Sequence, residues 1–432
     1  MVFEKERGGR IDNQKVHVKP PGIIIIGGHV QGLELIRNCK NAEIPFVIIS
    51  NRKPDIARYS RYISNQNYYY FSNLDSKDLI RFLKKIGEKN KLNNWLILPT
   101  CDISAKILSE NLKELEPDFR VCTPEWKIVH FCYDKELSYK FVQKLGIPLP
   151  MTTKIEEMNQ LENVISELKY PIILKPSVMH RFFNSTGKKV IIVENSNDLE
   201  ERYGWMEKII PPSEILVQEI IPGAPGGLFS FGALVQDGKV LSYVIGNRKR
   251  QQPMDFGIGS TYVVIAHSRE IEISSKKILK ELRYSGLCEV EFILDPRDGI
   301  FKFLEINPRS WKWLGIINPI KRSFVEQLFL LKTEKECHAF SEKNKDIQQS
   351  DGFSEGGSQV KQEQCIWVHF WQDLFVCIKE ILNGRMTLKK YFASFSGKVQ
   401  WAVWDRRDPL PFLIEPFVYF KNKIKMNFGR KR

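Results

Sequence analysis

The stretch that most constrains this chain is Cys288–Arg309, CEVEFILDPRDGIFKFLEINPR. In an extended strand, side chains two apart share a face, so Glu289 and Glu291 point one way and Val290 and Phe292 the other. Asp295-Pro296-Arg297-Asp298-Gly299 supplies turn formers where the chain would reverse. The return strand is expected to place Phe301, Phe303, Glu305 and Asn307 on one face. Two carboxylates and a carboxamide would then meet across a hairpin. An all-oxygen set without thiolate or imidazole favours magnesium over zinc. A solvated or salt-bridged hairpin edge fits the same spacing, and the spacing alone leaves both readings open.

The chain has 432 residues, 43% of them hydrophobic, enough for two or three domains with real cores. The apolar run Ile23–Ile26 is far too short to cross a bilayer, and MVFEKERGGR at the start lacks the apolar region of a secretory leader. The eight cysteines include no Cys-x-x-Cys pair. Reduced, structural thiols in a cytoplasmic protein are therefore expected. A net charge of +14 raises the question of nucleic acid. Against it, the bases are spread through the chain, with no zinc-finger spacing or basic helix-turn-helix pattern. An enzyme handling ATP or a phosphorylated carrier uses the same field.

Near the N-terminus, apolar strands at Ile23–Ile26, Pro45–Ser50 and Trp95–Thr100 alternate with helical patterns, which argues a parallel sheet covered on both faces. Ligands in such sheets gather beyond the carboxyl ends of the strands. Gly27-Gly28-His29-Val30-Gln31-Gly32 lies at one such end. It lacks the dinucleotide pattern, and the second strand runs into Ser50-Asn51-Arg52-Lys53, which suits an anion better than a ribose diol. A redox cofactor is disfavoured. His29 and Asp102 are read as packed loop residues or substrate contacts.

In the middle of the chain, YPIILKPS carries Lys175 at the end of an apolar strand, held extended by Pro176. A snorkelling surface lysine is the plain alternative. Thr186-Gly187-Lys188-Lys189 offers a loop whose backbone could approach phosphate, although no Walker loop is present. Glu219 stands among apolar neighbours in LVQEIIPG, as an edge-strand glutamate also would. Arg248-Lys249-Arg250 ends a strand as either a solvated patch or an anion clamp.

Taken in order, GGHVQGLELIRNC, DIARYSRY, YDKELSYKFVQKLGIPLP, ILKP, LVQEIIPG, GNRKRQQP, CEVEFILDPRDGIFKFLEINPR and WAVWDRRDPLP resemble the ATP-grasp superfamily. They look closest to its carboxylate–amine ligases, the predicted carboligase group related to D-aspartate ligase. The resemblance implies an α/β ATP-grasp fold with three parts: an N-terminal parallel-sheet (pre-ATP-grasp) domain over 20–130, and an ATP-grasp domain over 131–332 comprising a central α+β lid subdomain at about 150–220 and a C-terminal α+β ATP-binding domain. It implies that Lys135 and Lys175 contact ATP phosphates, with Ser185, Thr186 and Gly187 in the phosphate loop. Gln218, Glu219, Ile220 and Ile221 would line the adenine pocket, Glu219 as its hinge acid. Glu291, Glu305 and Asn307 would hold two magnesium ions, with manganese as a substitute. Arg309, with Arg248 or Lys249, would face the acyl phosphate. The segment SVMHRFFNSTGKK departs from many relatives in having a single glycine, which restricts its wrapping of phosphate.

That resemblance also implies an ATP-dependent ligase joining a carboxylate to an amine, the acceptor being an amino acid or a carrier-linked peptide. A carboxylate–thiol ligase or other phosphorylating ATP-grasp enzyme is the alternative among enzymes. A basic non-catalytic scaffold or nucleic-acid-binding protein on an ATP-grasp shell is the alternative of another class. Residues 1–19 are expected to be loose and 333–362 an exposed linker. Residues 363–432 read as an aromatic helical extension with a basic tail, suited to packing on the enzyme body, to a homodimer, or to peripheral contact with a membrane. Asp405, Arg406, Arg407 and Asp408 are expected to form a local ion-pair network.

Overall fold

The structure is a computed structural model that describes residues 21–72, 78–155, 169–257, 259–320, 322–333 and 365–429. The expectations for residues 1–19 and for most of 333–362 lie outside that set. Three sheets build three lobes.

The first lobe contains β1 (Ile23–Ile26), α1 (Val30–Asn41), β2 (Phe46–Ser50), β3 (Tyr68–Tyr70), α2 (Asp78–Asn90), β4 (Leu96–Pro99), α3 (Asp102–Glu110), α4 (Leu112–Leu115) and β5 (Arg120–Val121). Its sheet is parallel, in the order β3-β2-β1-β4-β5. The four isoleucines of β1 are fully buried and serve two cores by alternation. Ile24 and Ile26 join Leu79, Leu83 and Leu108 on one face, while Ile23 and Ile25 join Leu33, Trp311 and Trp313 on the other. The second core is shared with the main sheet, which ties the first lobe to the rest of the chain.

Helices α5 (Trp126–Tyr133) and α6 (Lys135–Lys144) lead into the second lobe. Asp134 caps α6 by accepting from the Glu136 and Leu137 N–H groups. The lobe holds β6 (Thr152–Lys154), β7 (Ile172–Pro176), α7 (Met179–Thr186), β8 (Ile191–Val193), α8 (Ser196–Met206) and β9 (Ile215–Glu219). Its antiparallel sheet runs β6-β9-β7-β8 over its own small core.

The third lobe is a seven-stranded sheet, ordered β14-β13-β10-β11-β12-β15-β16. Its strands are β10 (Leu228–Gln236), β11 (Lys239–Gln252), β12 (Gly259–Ala266), β13 (Gly286–Asp295), β14 (Ile300–Asn307), β15 (Cys365–Val368) and β16 (Lys398–Trp401). Helix α9 (Arg269–Glu281) packs on β10 and β11, and α10 (Phe324–Thr333) on β10 and β13. The segment 365–401 thus contributes two strands to the main sheet, β15 pairing with β12 and β16 with β15, as well as helices. Helices α11 (Phe370–Leu382), α12 (Leu388–Ala393) and α13 (Leu410–Gly429) complete the chain.

The expected local network at 405–408 is long-range in the structure. Asp408 is fully buried and accepts from Arg37 on α1, from the Ser60 hydroxyl at 2.8 Å and from the Arg61 N–H at 2.8 Å. Within the segment itself, Arg407 and Asp405 pair at 3.6 Å. Seven cysteines in the described residues are free thiols. No helix among the described residues is long and apolar enough to cross a membrane.

Candidate active site

The β13–β14 hairpin forms as its sequence requires, with one change that decides the site. Glu289 pairs with Asn307 and Glu291 with Glu305, but the next pair is Phe292 with Phe303, so Leu304 is an extra residue on β14. Such a bulge breaks the two-residue alternation. Phe303 therefore points into the core with Val290 and Phe292, while Glu305 and Asn307 face the opposite side. The expectation that Phe303 and Glu305 share a face is overturned. Leu304, freed from the ladder, lines a cavity instead.

Two adjoining cavities meet at this hairpin. The smaller, about 130 Å³, lies between the second and third lobes. Ile173, Ile220, Ile221, Ile293 and Leu304 give it apolar walls, with Gln218 and Glu219 among the lining residues. The larger, about 360 Å³, opens toward the first lobe and is lined by Gln31, Asp102, Tyr133, His180, Arg309, Lys312 and Trp313. Lys135, Met179, Lys189, Arg248, Glu291 and Glu305 border both. An apolar slot opening into a polar chamber is the usual form of a small-molecule site.

The charges are interlocked. The Lys135 ammonium lies 3.0 Å from Glu305 and that of Lys189 3.5 Å from it. Burial by itself would raise the Glu305 pKa, but Lys189 and Lys135 outweigh it and hold the carboxyl well below its ordinary range. Lys175, buried at the wall of the smaller cavity, donates to the Tyr139 hydroxyl and to Gln218 Oε1, the latter at 2.9 Å. Burial, reinforced by Lys135, pushes its pKa well below that of a free lysine. Gln218 also donates to Thr152, at 2.6 Å, so its amide is fixed.

Further along the same face of the hairpin, Asn307 Nδ2 donates to Glu289 at 3.1 Å and to Glu291 at 3.0 Å, and its Oδ1 accepts from Arg309 at 3.0 Å. Arg309 also reaches Asp102 at 3.0 Å, joining the hairpin to the start of α3. Arg248 pairs with Glu291 at 3.0 Å, and its buried Nε has no partner among the described residues. Glu289 accepts from the Trp313 indole at 2.8 Å. Burial and the adjacent Glu291 push its pKa up to about 7. Burial lowers Lys312 to about 7, and its ammonium donates to the Ser260 carbonyl at 2.9 Å and to Gln372 at 2.7 Å.

Several expected residues fall elsewhere. Ser185 and Thr186 occupy the last turn of α7, their hydroxyls bonded to the carbonyls of Arg181 and Phe182, and Gly187 closes the helix at φ +68°. None of the three lines either cavity. The segment expected to be a phosphate loop is helical through Thr186, with Phe182 buried in the second lobe's core and Gly187 ending the helix. Lys189, just beyond it, reaches the site. Lys249 is exposed as the extra residue of a bulge on β11, because Arg248 pairs with Val263 and Arg250 with the adjacent Tyr262. Arg250 turns away to a buried, two-pronged pair with Asp373 of α11, both contacts 2.8 Å. Glu219 lines the smaller cavity, yet its carboxylate is engaged by the Met151 N–H at 2.8 Å and by Arg297 at 2.6 Å. His29 bonds Thr100 at 3.0 Å and lines neither cavity.

Tyr139, Lys312 and Trp313 were not signalled by any local pattern. Tyr139 sits on a helix of ordinary amphipathic spacing, and Lys312 and Trp313 follow the hairpin without a motif of their own. Among the described residues, no three His, Cys, Asp or Glu side chains gather into a self-sufficient metal cage. Of the expected ligands, Glu291 and Glu305 pair across the ladder and border both cavities, while Asn307 turns its Nδ2 to Glu289 and Glu291 and its Oδ1 to Arg309. Carboxylate oxygens of this kind suit magnesium, an ion that commonly completes its shell with water and substrate phosphate.

Residues 140–312 match the ATP-grasp domain family. The chain is 28% identical over 237 residues to D-aspartate ligase of Enterococcus faecium, covering 53% of this chain and 56% of that protein. It is 24% identical over 185 residues to the carbamoyl phosphate synthase large chain of Methanobrevibacter smithii, 41% of this chain and 16% of that one. The matches therefore span about half, or much less, of these relatives. The structure superposes on N5-carboxyaminoimidazole synthetase of Staphylococcus aureus complexed with ADP with a TM-score of 0.56 and 14% identity, covering 84% of this chain and 96% of that one. The biotin carboxylase domain of 2-oxoglutarate carboxylase from Hydrogenobacter thermophilus, in complex with MgADP and bicarbonate, gives a TM-score of 0.56 at 18% identity, covering 73% and 70%. At these identities the structural likeness is one of fold.

Proposed function

We propose that this chain, whose residues 140–312 match the ATP-grasp domain family, is an ATP- and magnesium-dependent ligase that joins a carboxylate to an amine through an acyl phosphate. The observation that carries this reading is the pair of cavities sharing one charged border. The apolar slot beside Gln218–Ile221 suits adenine, and the polar chamber beyond Lys135, Lys189 and Glu305 suits the reacting groups.

A carboxylate is a poor electrophile, because its attack by an amine would have to expel oxide. In the proposed reaction a carboxylate oxygen attacks the γ-phosphorus of ATP and ADP leaves. The amine then attacks the carbonyl carbon, phosphate departs, and the amine nitrogen releases a proton. Magnesium, when bound at Glu291, Glu305 and Asn307, would neutralise phosphate charge during the transfer. Lys135, Lys175 and Lys189 hold the phosphates in register. Arg248, with its unpartnered Nε, and Arg309 face the position of the carboxylate.

The test is ADP release with magnesium-ATP against amino acids and short peptides, singly and in pairs, with mass spectrometry of products. Bicarbonate serves as an added carboxylate. ADP formation that needs both a carboxylate and an amine, with a product lighter by one water, supports the ligase. Turnover with bicarbonate and an amine alone, yielding a carboxylated amine, would replace it with a carboxylase.

A further inference from the structure

The C-terminal helices present a surface that the proposed reaction does not use. On α13, Leu410, Leu413, Phe417 and Phe420 recur at intervals of three and four residues, so they form one stripe. All four are exposed, Leu413 at 57% and Phe417 at 72%. The opposite side of α13 is packed: Phe412 contacts Phe370 and Trp371, and Glu415 is held by His369. Helix α11 lies alongside, its Phe375 ring 6.0 Å from that of Phe420. One turn further, Ile378 and Leu382 continue the apolar stripe on α11, Leu382 at 81% exposed. Exposed aromatic and aliphatic groups on this scale, grouped on two adjacent helices, mark an interaction surface.

The charges around it are segregated. Asp373, Glu380, Asp408 and Glu415, four acids of this region, are buried and engaged by Arg250, Arg385, Arg37 and His369. Bases flanking the stripe are exposed: Lys379 follows Ile378 on α11, Lys421 follows Phe420 on α13, and Arg406 precedes α13 beside Arg407, which pairs with Asp405. The sequence after Lys421 adds Lys423, Lys425, Arg430, Lys431 and Arg432 and no acid. Asp405 beside Arg407 and Asp255 beside Arg385 are the other acids nearest this rim, each paired with an arginine. An apolar stripe with exposed lysines, unmatched among the described residues, therefore complements a surface that is apolar beneath and negative at its rim. A second copy of the chain related by a two-fold axis would set these bases against their equals.

We propose that the exposed face of α11 and α13 seats this protein on an anionic lipid bilayer surface, its Leu and Phe side chains in the interface and its bases at the headgroups. The helices lie on the bilayer without crossing it. The face is distinct from both cavities, so seating leaves them open.

Cosedimentation of the full chain with phosphatidylcholine vesicles, with or without phosphatidylglycerol, tests this at low and high salt. Pelleting is expected with the anionic vesicles only, falling as salt rises. Leu413→Glu with Phe417→Glu is expected to weaken the partition by about tenfold or more. Lys379→Gln with Lys421→Gln is expected to weaken it by about thirtyfold, roughly fivefold per base. These residues are exposed, and an unchanged melting temperature of each variant separates lost seating from lost folding. Failure to pellet with anionic vesicles, or equal pelleting with neutral ones, would overturn the proposal. So would a dimer in sedimentation equilibrium that Phe417→Glu dissociates while vesicle binding is unchanged.

Discussion

The ammonium of Lys135 lies 3.0 Å from the carboxylate of Glu305, at the border between the two cavities. Lys135 opens helix α6 and Glu305 follows the bulge on β14, so a helix start and a strand irregularity jointly place this pair. In the proposed reaction, Glu305 would help hold magnesium and Lys135 would hold a phosphate. Glu305→Ala is expected to lower the rate of ADP release by about 10²–10³-fold, as loss of a preorganised electrostatic group does. The melting temperature should fall little. A variant that keeps full magnesium-dependent turnover would remove Glu305 from the metal assignment.

Lys175 is enclosed between Tyr139 and Gln218, and burial lowers its pKa. A phosphate reaching it would restore the full positive charge. Lys175→Met should weaken binding of magnesium-ATP by about 10- to 100-fold, the worth of one hydrogen bond to a charged group. Titration calorimetry at fixed magnesium checks this, and unchanged affinity would place the nucleotide elsewhere.

Asp408 docks the loop before α13 against α1, its side chain fully buried with Arg37. Asp408→Ala would leave a guanidinium buried without its counterion. A cost of about 3–5 kcal/mol is expected, measured by equilibrium denaturation. Asp405→Ala, at the half-buried end of the same segment, should cost less than about 1 kcal/mol.

His29 carries a pKa lowered to about 3 by burial, with Arg52, Arg309 and Lys312 adding to the effect. An unfolded histidine takes up its proton near pH 6.5. Between about 6.5 and about 3 the unfolded chain therefore binds more protons than the folded one. The stabilisation is complete above that window and is lost as pH falls through it. Melting temperature followed from pH 7 downward should drop in this range, and His29→Gln should flatten the drop. An unaltered profile would exclude His29 as its source.

Much of this architecture was legible in the chain. The alternation of β1 and the acidic and apolar faces of β13 follow from a two-residue period, which a single strand carries by itself. Glu289, Glu291, Lys175 and the run Gln218–Ile221 could be picked out because each interrupts or ends an apolar strand. Where an expectation failed, the deciding contact came from a distant part of the sequence. Thr186 and Gly187 have the composition of a loop, and only the packing of Phe182 in the second lobe's core makes them the end of a helix.

The sequence by itself determined which side chains are available and the strands that bear them, because strand alternation and turn chemistry are local properties. Tertiary structure alone decided which of those side chains meet. The bulge at Leu304 turned Glu305 toward Lys135. The first lobe supplied Asp102 to Arg309, 207 positions away, and the buried Asp408 found Arg37 across 371 positions. Charges are buried together only where the fold brings a partner to offset the cost of leaving water, and no local pattern encodes where that partner is.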